Sequence, residues 1–431
     1  MKAVITPAQP GGTIRAIASK SQAHRMLICA ALADAPTEIV CRELSRDIEA
    51  TADCLRAMGS RIVYARERGC FSVTPLNRNV PDRRITIDVG ESGSTLRFLL
   101  PVVCALGFRT HIVMHGRLPE RPLSPLWEEL EAHGASLRRN SDGSVDTDGK
   151  LGGMAWKIAA DVSSQFISGL LFSLPLLADG PKADPARGGN AAADQIFSLT
   201  LTGNVESRNY ILMTLDALKA FGVEYCRDDT GSMLSLAQGS AYRSPGRTEV
   251  EGDWSNGAFW ICAAAMSEKE LKVSGLNLES SQGDRAVLSL RDLILSAREN
   301  GEPVTIDARD VPDLVPVLSV LAASVSGTTV FTHAERLRIK ESDRIRTTVE
   351  MLTGLGAKAE ETADGLIVYG TGRLAGGCID SCNDHRIAMS AAVASIICTG
   401  TVTVEQAQAV QKSYPDFWKD FAGLGGQVRL E

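Results

Sequence analysis

Hydrophobic and polar positions along this chain repeat in a slow rhythm. Six times a short polar turn opens an alanine- and leucine-rich run that is apolar nearly all round, at 25–33, 96–106, 166–177, 258–266, 314–323 and 387–398. Runs with one apolar stripe lie between them, at 48–58, 126–133, 211–221 and 345–355. A run with no polar face predicts a helix at the centre of a domain, and a striped run predicts a helix covering an outer layer. Short β-branched segments bounded by Gly or Asp, at 110–114, 304–306, 366–369 and 401–404, are predicted strands. Each repeat therefore reads as a small sheet with one buried and one exposed helix, which is α/β architecture.

A second signature marks the same repeat. The segments LRAMGSRI, LEAHGASL, LKAFGVEY, LTGLGAKA and FAGLGGQV place glycines at Gly59, Gly134, Gly222, Gly356 and Gly425, separated by 75, 88, 134 and 69 residues. The long interval spans two repeats and predicts a degenerate copy, with Gly301 as its marker after a run that starts near Asp284. Repeats of about seventy residues are too long for a solenoid, so each copy is expected to be a subdomain of a closed assembly. A chain of 431 residues also exceeds the roughly 250–300 at which one core stops growing, so two domains of three repeats each are expected. The Gly/Ser/Pro-rich stretch 238–246 is the linker candidate.

Composition narrows the function classes. A net charge of −7 and only 5% aromatic residues argue against a nucleic-acid surface. No apolar run reaches membrane-spanning length, and the N-terminal MKAVITPAQPGG has no signal-peptide pattern, so a cytoplasmic protein is expected. The ten cysteines are scattered, and the six histidines include no zinc-binding pattern, so buried thiols and no metal site are expected.

The six turns that open the buried helices carry the candidate chemistry. They are Ser19-Lys20-Ser21 with Arg25, Glu91-Ser92-Gly93-Ser94-Thr95 with Arg97, Ser163-Ser164-Gln165, Asp253-Trp254-Ser255, Val311-Pro312-Asp313 and Asn383-Asp384-His385-Arg386. Hydroxyls and carboxylates at such places are first of all N-caps, worth about 1 kcal/mol each, and that reading suffices for Asp253 and Ser255. It does not account for Lys20, Arg25, Gln165, His385 and Arg386, which cap nothing there, and the cations among them are disfavoured at a helix N-terminus by its dipole. Cations gathered there predict bound anions, which the backbone N–H groups and the dipole attract as well. More cations stand in the loop 116–122, which includes Arg121, in the run 336–344, and at Lys412, which reads as another helix start. On a helix, Lys340 and Arg344 would share a face with Glu341 about 100° away.

Together these motifs resemble the 5-enolpyruvylshikimate-3-phosphate synthase family. They are S-K-S-x-x-x-R at 19–25, G-x-S-G-S at 90–94, G-x-L-x-x-R-P at 116–122, S-S-Q at 163–165, P-D at 312–313, R-I-K-E-S-D-R at 338–344, N-D-H-R at 383–386 and K-S-Y-P at 412–415. They span the chain in order. The resemblance implies the two-domain enolpyruvyl transferase fold, an inside-out α/β barrel of βαβαββ units, with domains at 1–19 plus 246–431 and at 20–245. It implies transfer of the enolpyruvyl group of phosphoenolpyruvate to the 5-hydroxyl of shikimate 3-phosphate, with no metal or organic cofactor, by a monomer. Lys20, Ser21, Arg25, Ser163, Ser164 and Ser207 would hold shikimate 3-phosphate, with Gln165 between the two substrates. Lys20, Gly93, Arg121, Arg344, Arg386 and Lys412 would hold phosphoenolpyruvate, with His385 adjacent, and Asp313 and Lys340 would also bind substrate. Asp313 is the expected base toward the 5-hydroxyl, Glu341 the acid/base at the methylene carbon, and Lys20 the cation that neutralises departing phosphate.

Electrostatics makes such a layout necessary. Each substrate carries two or three negative charges, and one pair of like unit charges about 6 Å apart costs about 3 kcal/mol at an effective dielectric of ~20. A ring of Lys and Arg must offset several such pairs, and bidentate Arg suits carboxylate and phosphate alike. Three features depart from the commonest family pattern: Glu91-Ser92 stands where Asn-Ala is frequent, Phe98 where Pro is frequent, and Arg336, left out of the site, where Asn is frequent. The added charge of Glu91 is expected to disfavour phosphoenolpyruvate or the inhibitor glyphosate if it faces the site. The related UDP-N-acetylglucosamine enolpyruvyl transferases carry a loop cysteine before an Arg-Pro pair, and 116–121 contains none.

Overall fold

A computed structural model describes residues 1–78, 84–178, 196–237, 239–300 and 302–431. The chain divides into two compact units, Met1–Ser19 with Glu251–Glu431, and Lys20–Val250. The return thus falls five residues beyond the expected position at 245/246. The reason is a strand: Arg247–Glu249 pairs in parallel with Thr37–Val40 and so packs with the Lys20–Val250 unit. Gln238, at the start of the candidate linker, and the marker Gly301 both lie outside the described residues.

Helices of the two predicted kinds alternate along the chain. The apolar runs form α1 (Lys20–Leu32), α3 (Gly93–Leu106), α5 (Ser164–Ala178), α7 (Trp254–Met266), α9 (Val315–Ala323) and α11 (His385–Ala394). Every residue of α9 and α11 is buried, and in α1 burial is unbroken from Ala23 to Leu32. The four striped runs form α2 (Arg46–Ala57), α4 (Leu126–Ala132), α6 (Arg208–Ala220) and α10 (Arg344–Gly354), and α8 (Val287–Asn300) and α12 (Phe417–Gly423) take the corresponding place in their repeats. The five signature glycines follow α2, α4, α6, α10 and α12, with φ between 77° and 105°. That left-handed conformation ends a helix cheaply only without a Cβ, so the sequence signature is a C-terminal stop.

Among the described residues, three repeats each build one sheet in βαβαββ order. Around α3 and α4, Arg84–Asp88 pairs in parallel with Arg109–Val113, which pairs antiparallel with Val145–Gly149, and Ala135–Arg139 closes the edge. The sheets around α5 and α6 and around α9 and α10 repeat this order. Two sheets borrow a strand from a distant part of the chain: Arg247–Glu249 completes the one around α1 and α2, and Ala3–Thr6 the one around α11 and α12. The degenerate copy is the sheet around α7, which has only Gly12–Arg15 and Leu271–Ser274. There Val304–Asp307, the first strand of the next repeat, is the next element after α8, with no hairpin between them among the described residues. The structure is of the expected α/β class, with buried helices inside and sheets outside in each repeat.

Candidate active site

In the Lys20–Val250 unit the predicted residues cluster at the N-termini of α1, α3 and α5. Lys20 opens α1, and its Nζ lies 2.8 Å from Asp47 Oδ2 on α2, with both side chains 15% exposed. Arg25, one turn on, is 2% exposed. Its Nε donates to Thr214 at 2.9 Å, Nη1 to the Ser21 carbonyl at 2.6 Å, and Nη2 to the Tyr210 carbonyl at 3.0 Å and Ser168 at 3.5 Å. Burial lowers its pKa to about 10, and one Nη1 proton is left for an anion. Ser207, which precedes α6, is buried and holds φ at +51°, an uncommon conformation for a residue with a side chain.

Gln165 ties α5 to α3. Its Nε2 donates to Ser94 at 2.9 Å, and its Oε1 accepts from Arg97 Nη1 at 2.9 Å. Ser163 Oγ accepts from the Gln165 backbone N–H at 3.3 Å, and Ser164 is buried as the first residue of α5. Arg97 also donates to the Pro122 carbonyl at 3.2 Å, which fixes the loop carrying Arg121. A Cβ on Gly93 would lie 2.7 Å from both Arg97 Nη1 and Arg121 Nη1, so the turn brings two guanidinium groups against bare backbone. Arg97 is not among the expected site residues; a charged residue inside an otherwise apolar helix is the sequence signal for it. The Glu91 carboxyl packs over Gly116, at the start of the Arg121 loop.

In the other unit the cluster centres on Asp313, in a 3-10 turn before α9. Its carboxylate accepts from Arg344 Nη1 at 2.8 Å and Arg386 Nη2 at 3.0 Å, and Lys340 Nζ lies 3.9 Å away. Burial alone would raise its pKa, but Arg386, Lys340 and Arg344 outweigh that and hold it well below the usual carboxylate range. Arg344, 1% exposed in its side chain, also pairs with Glu341 and, at 2.8 Å, with the buried Asp384. Asp384 caps α11 by accepting from the Arg386 N–H at 2.9 Å and accepts from Ser342 at 3.0 Å. Burial lowers the Lys340 pKa to about 8 against the pull of Asp313. His385 is buried beside Arg386, and Lys412 Nζ donates to the Asn383 carbonyl at 2.7 Å.

Three expectations need correction here. Lys340 and Arg344 do not share a helix face: Lys340 is extended after a 3-10 turn, and α10 begins at Arg344 with Asp343 as its cap. Asp313 gathers the two cations instead. Lys412 closes a 3-10 helix rather than opening a helix, since α12 starts only at Phe417. The α7 turn is more than a cap: Asp253 does cap Asn256 N–H at 2.8 Å, but Ser255 accepts from Arg386 Nη2 at 2.7 Å. Behind Ser255 lies Asp284, 3% exposed, which sequence reasoning missed as a site residue. Burial, then the nearby Asp313 charge, push its pKa up to about 7, against the pull of Arg386 and a hydrogen bond from Ser255.

Two clusters thus hold the predicted residues, one in each unit, and each pairs buried cations with helix N-termini. Their composition suits phosphate and carboxylate ligands. The sequence profile of EPSP synthase (3-phosphoshikimate 1-carboxyvinyltransferase) matches residues 5–421. The 3-phosphoshikimate 1-carboxyvinyltransferase of Clostridium novyi is 37% identical over 443 aligned residues, covering 98% of this chain and 97% of that protein. The Clostridium perfringens protein of the same description is 36% identical, with 100% of both chains covered. Among solved structures, EPSP synthase from Acinetobacter baumannii superposes with a TM-score of 0.76 at 24% identity over 99% of each chain, and the enolpyruvyl transferase NikO from Streptomyces tendae with 0.72 at 16% identity over 99% and 98%. These likenesses agree with the motifs and with the repeat architecture, and the chain belongs to the EPSP synthase (3-phosphoshikimate 1-carboxyvinyltransferase) family of the shikimate pathway.

Proposed function

We propose that this chain joins phosphoenolpyruvate to the 5-hydroxyl of shikimate 3-phosphate, with Asp313 and Glu341 as proton-transfer groups and the two cationic clusters as substrate holders. The observation that carries the reading is the Asp313 cluster, where two acids stand among Lys340, Arg344 and Arg386. The reaction needs a proton delivered to the methylene carbon of phosphoenolpyruvate as the hydroxyl oxygen attacks the adjacent carbon and loses its own proton. The resulting tetrahedral adduct expels phosphate and returns the methyl proton. Glu341 serves the carbon and Asp313 the hydroxyl.

Asp313 is a weak base while Arg344 and Arg386 bind it. A substrate carboxylate or phosphate competes for those same guanidinium groups, loosening their hold and raising the basicity of Asp313 as the substrates assemble. Phosphoenolpyruvate is assigned to Gly93, Arg121, Arg344, Arg386 and Lys412, with His385 adjacent. Shikimate 3-phosphate is assigned to Ser21, Arg25, Ser163, Ser164, Gln165, Ser207 and Lys340, and Lys20 serves both. We extend the reading to a monomer in the cytoplasm: one chain supplies every assigned residue, and among the described residues no helix is long and apolar enough to cross a membrane. Light scattering tests the monomer.

The deciding experiment mixes the protein with shikimate 3-phosphate and phosphoenolpyruvate and follows phosphate release, with the product identified by mass spectrometry. Release is expected with shikimate 3-phosphate. Release only with UDP-N-acetylglucosamine as the acceptor would overturn the assignment.

A further inference from the structure

The interior of the Lys20–Val250 unit contains a polar chain that the reaction does not use. His24, Thr51, Thr95 and Ser92 come from α1, α2, α3 and the α3 cap, and each is at most 1% exposed. His24 Nδ1 lies 2.7 Å from Thr51 Oγ1, which lies 2.6 Å from Thr95 Oγ1. Thr95 Oγ1 donates to Ser92 Oγ at 2.8 Å, and the Thr95 N–H donates to the same oxygen at 3.2 Å.

Proton counting gives the chain a direction. Burial, reinforced by Lys20 and Arg25 on its own helix, keeps the imidazole uncharged. The ring otherwise faces the Thr51 hydroxyl from α2 and, edge-on at 6.4 Å, Phe98 of α3. A neutral ring has one N–H, and Nε2 is buried with no partner among the described residues. An orphaned buried N–H is rarer than an under-used acceptor, so the proton belongs on Nδ1. Thr51 then accepts from His24 and donates to Thr95, which donates to Ser92. Both Ser92 acceptor positions are filled, so its own hydroxyl proton remains to be given, at the residue before Gly93.

We propose that His24 is a positioning residue for the α3 turn: through Thr51 and Thr95 its Nδ1–H orients the Ser92 hydroxyl as a donor to phosphoenolpyruvate held at Gly93 and Arg121. The proposal rests on the assignment of phosphoenolpyruvate to that turn. It deepens it by adding a hydroxyl donor, one set by a buried hydrogen-bond chain rather than by charge.

The test has an arm that needs no substrate. In 15N-histidine NMR of the full protein, the resonances lost in His24→Asn should report an Nδ1-protonated ring that stays neutral at pH values where an ordinary histidine is already protonated. An Nε2–H tautomer, or titration near the ordinary histidine value, overturns the proposal. In kinetics, His24→Leu and Thr51→Val should each raise the phosphoenolpyruvate KM about tenfold, with the shikimate 3-phosphate KM changed less than about twofold. His24→Asn, whose amide can donate in place of Nδ1–H, should recover most of that loss. Circular dichroism and the thermal midpoint show whether each variant is folded, and Thr51→Val, nearly isosteric, supplies the arm if His24→Leu is not. Equal rises in both KM values, or no rescue by Asn, overturn the positioning role. An Arg121→Ala enzyme with unchanged phosphoenolpyruvate KM would instead overturn the placement of substrate at the turn, a failure the tautomer measurement does not share.

Discussion

Arg386 holds Asp313 at two points, donating from Nη2 to the carboxylate at 3.0 Å and from Nη1 to the backbone carbonyl at 3.2 Å. In the proposed roles, anion binding and proton transfer share one set of side chains, and neither can be altered alone. On that reading Asp313→Asn removes the acceptor of the hydroxyl proton, and it leaves Arg344 and Arg386 without their shared anion. Turnover is expected to fall about 100-fold or more, with the phosphoenolpyruvate KM shifting as well. Glu341→Gln is expected to lower turnover to a similar degree. Steady-state phosphate release on folded protein checks both, and near-normal turnover in either variant refutes the assigned role.

Much of this arrangement was legible in the sequence, for identifiable reasons. The six buried helices were readable because an apolar run without a polar face has one place to go, and α9 and α11 are buried throughout. The glycines after the outer helices were readable because positive φ selects glycine. What stayed hidden depends on distant pairings. No local pattern announces that Arg247–Glu249 would pair with Thr37–Val40, nor that Ser255 would reach Arg386 across 131 positions. The run 338–344 misled because charge spacing that fits a helix fits an extended turn equally well, and only the Asp343 cap, seen in three dimensions, fixes where α10 begins.

Asp384 is expected to carry stability more than turnover. It is fully buried, pairs with an Arg344 side chain that is 1% exposed, and caps α11. Removing one partner of a buried pair leaves an uncompensated charge at a cost of about 3–5 kcal/mol. Asp384→Asn keeps the cap and loses the charge, so its thermal midpoint should drop by several degrees; Asp384→Ala should lose about 1 kcal/mol more with the cap. Calorimetry at neutral pH reads both, and an unchanged midpoint in Asp384→Asn would remove the pair from any account of stability.

Asp284 predicts a pH dependence whose sign is fixed. Its folded pKa, about 7, lies above the unfolded value of about 3.9. Between those values the folded state keeps a proton that the unfolded chain has lost, so this group's contribution to stability declines as pH rises from about 4 to about 7. Asp284→Asn cannot titrate. Its stability relative to the native chain should therefore improve from pH 5 to pH 8, by an amount on the order of 2 kcal/mol. Paired thermal melts across that range measure the difference, and a pH-independent offset would count against a protonated Asp284.

Gly93→Ala tests the α3 turn from the opposite side to His24. The new Cβ would fall 2.7 Å from a terminal nitrogen of Arg97 and of Arg121, closer than side-chain carbons approach such atoms. Arg97 has little room to move, being 3% exposed and bonded to Gln165 and the Pro122 carbonyl. Arg121 is partly exposed and is the side chain expected to swing away. If Arg121 grips phosphoenolpyruvate, its displacement weakens ground-state binding of that substrate alone. The phosphoenolpyruvate KM should rise about tenfold, while the shikimate 3-phosphate KM stays within about twofold and the fold is retained. Arg121→Lys keeps the charge but not the fork, so it should reproduce the effect without touching Gly93. If Gly93→Ala raised neither KM, the turn would not be where phosphoenolpyruvate binds, and the cation cluster around Asp313 would have to hold that substrate without it.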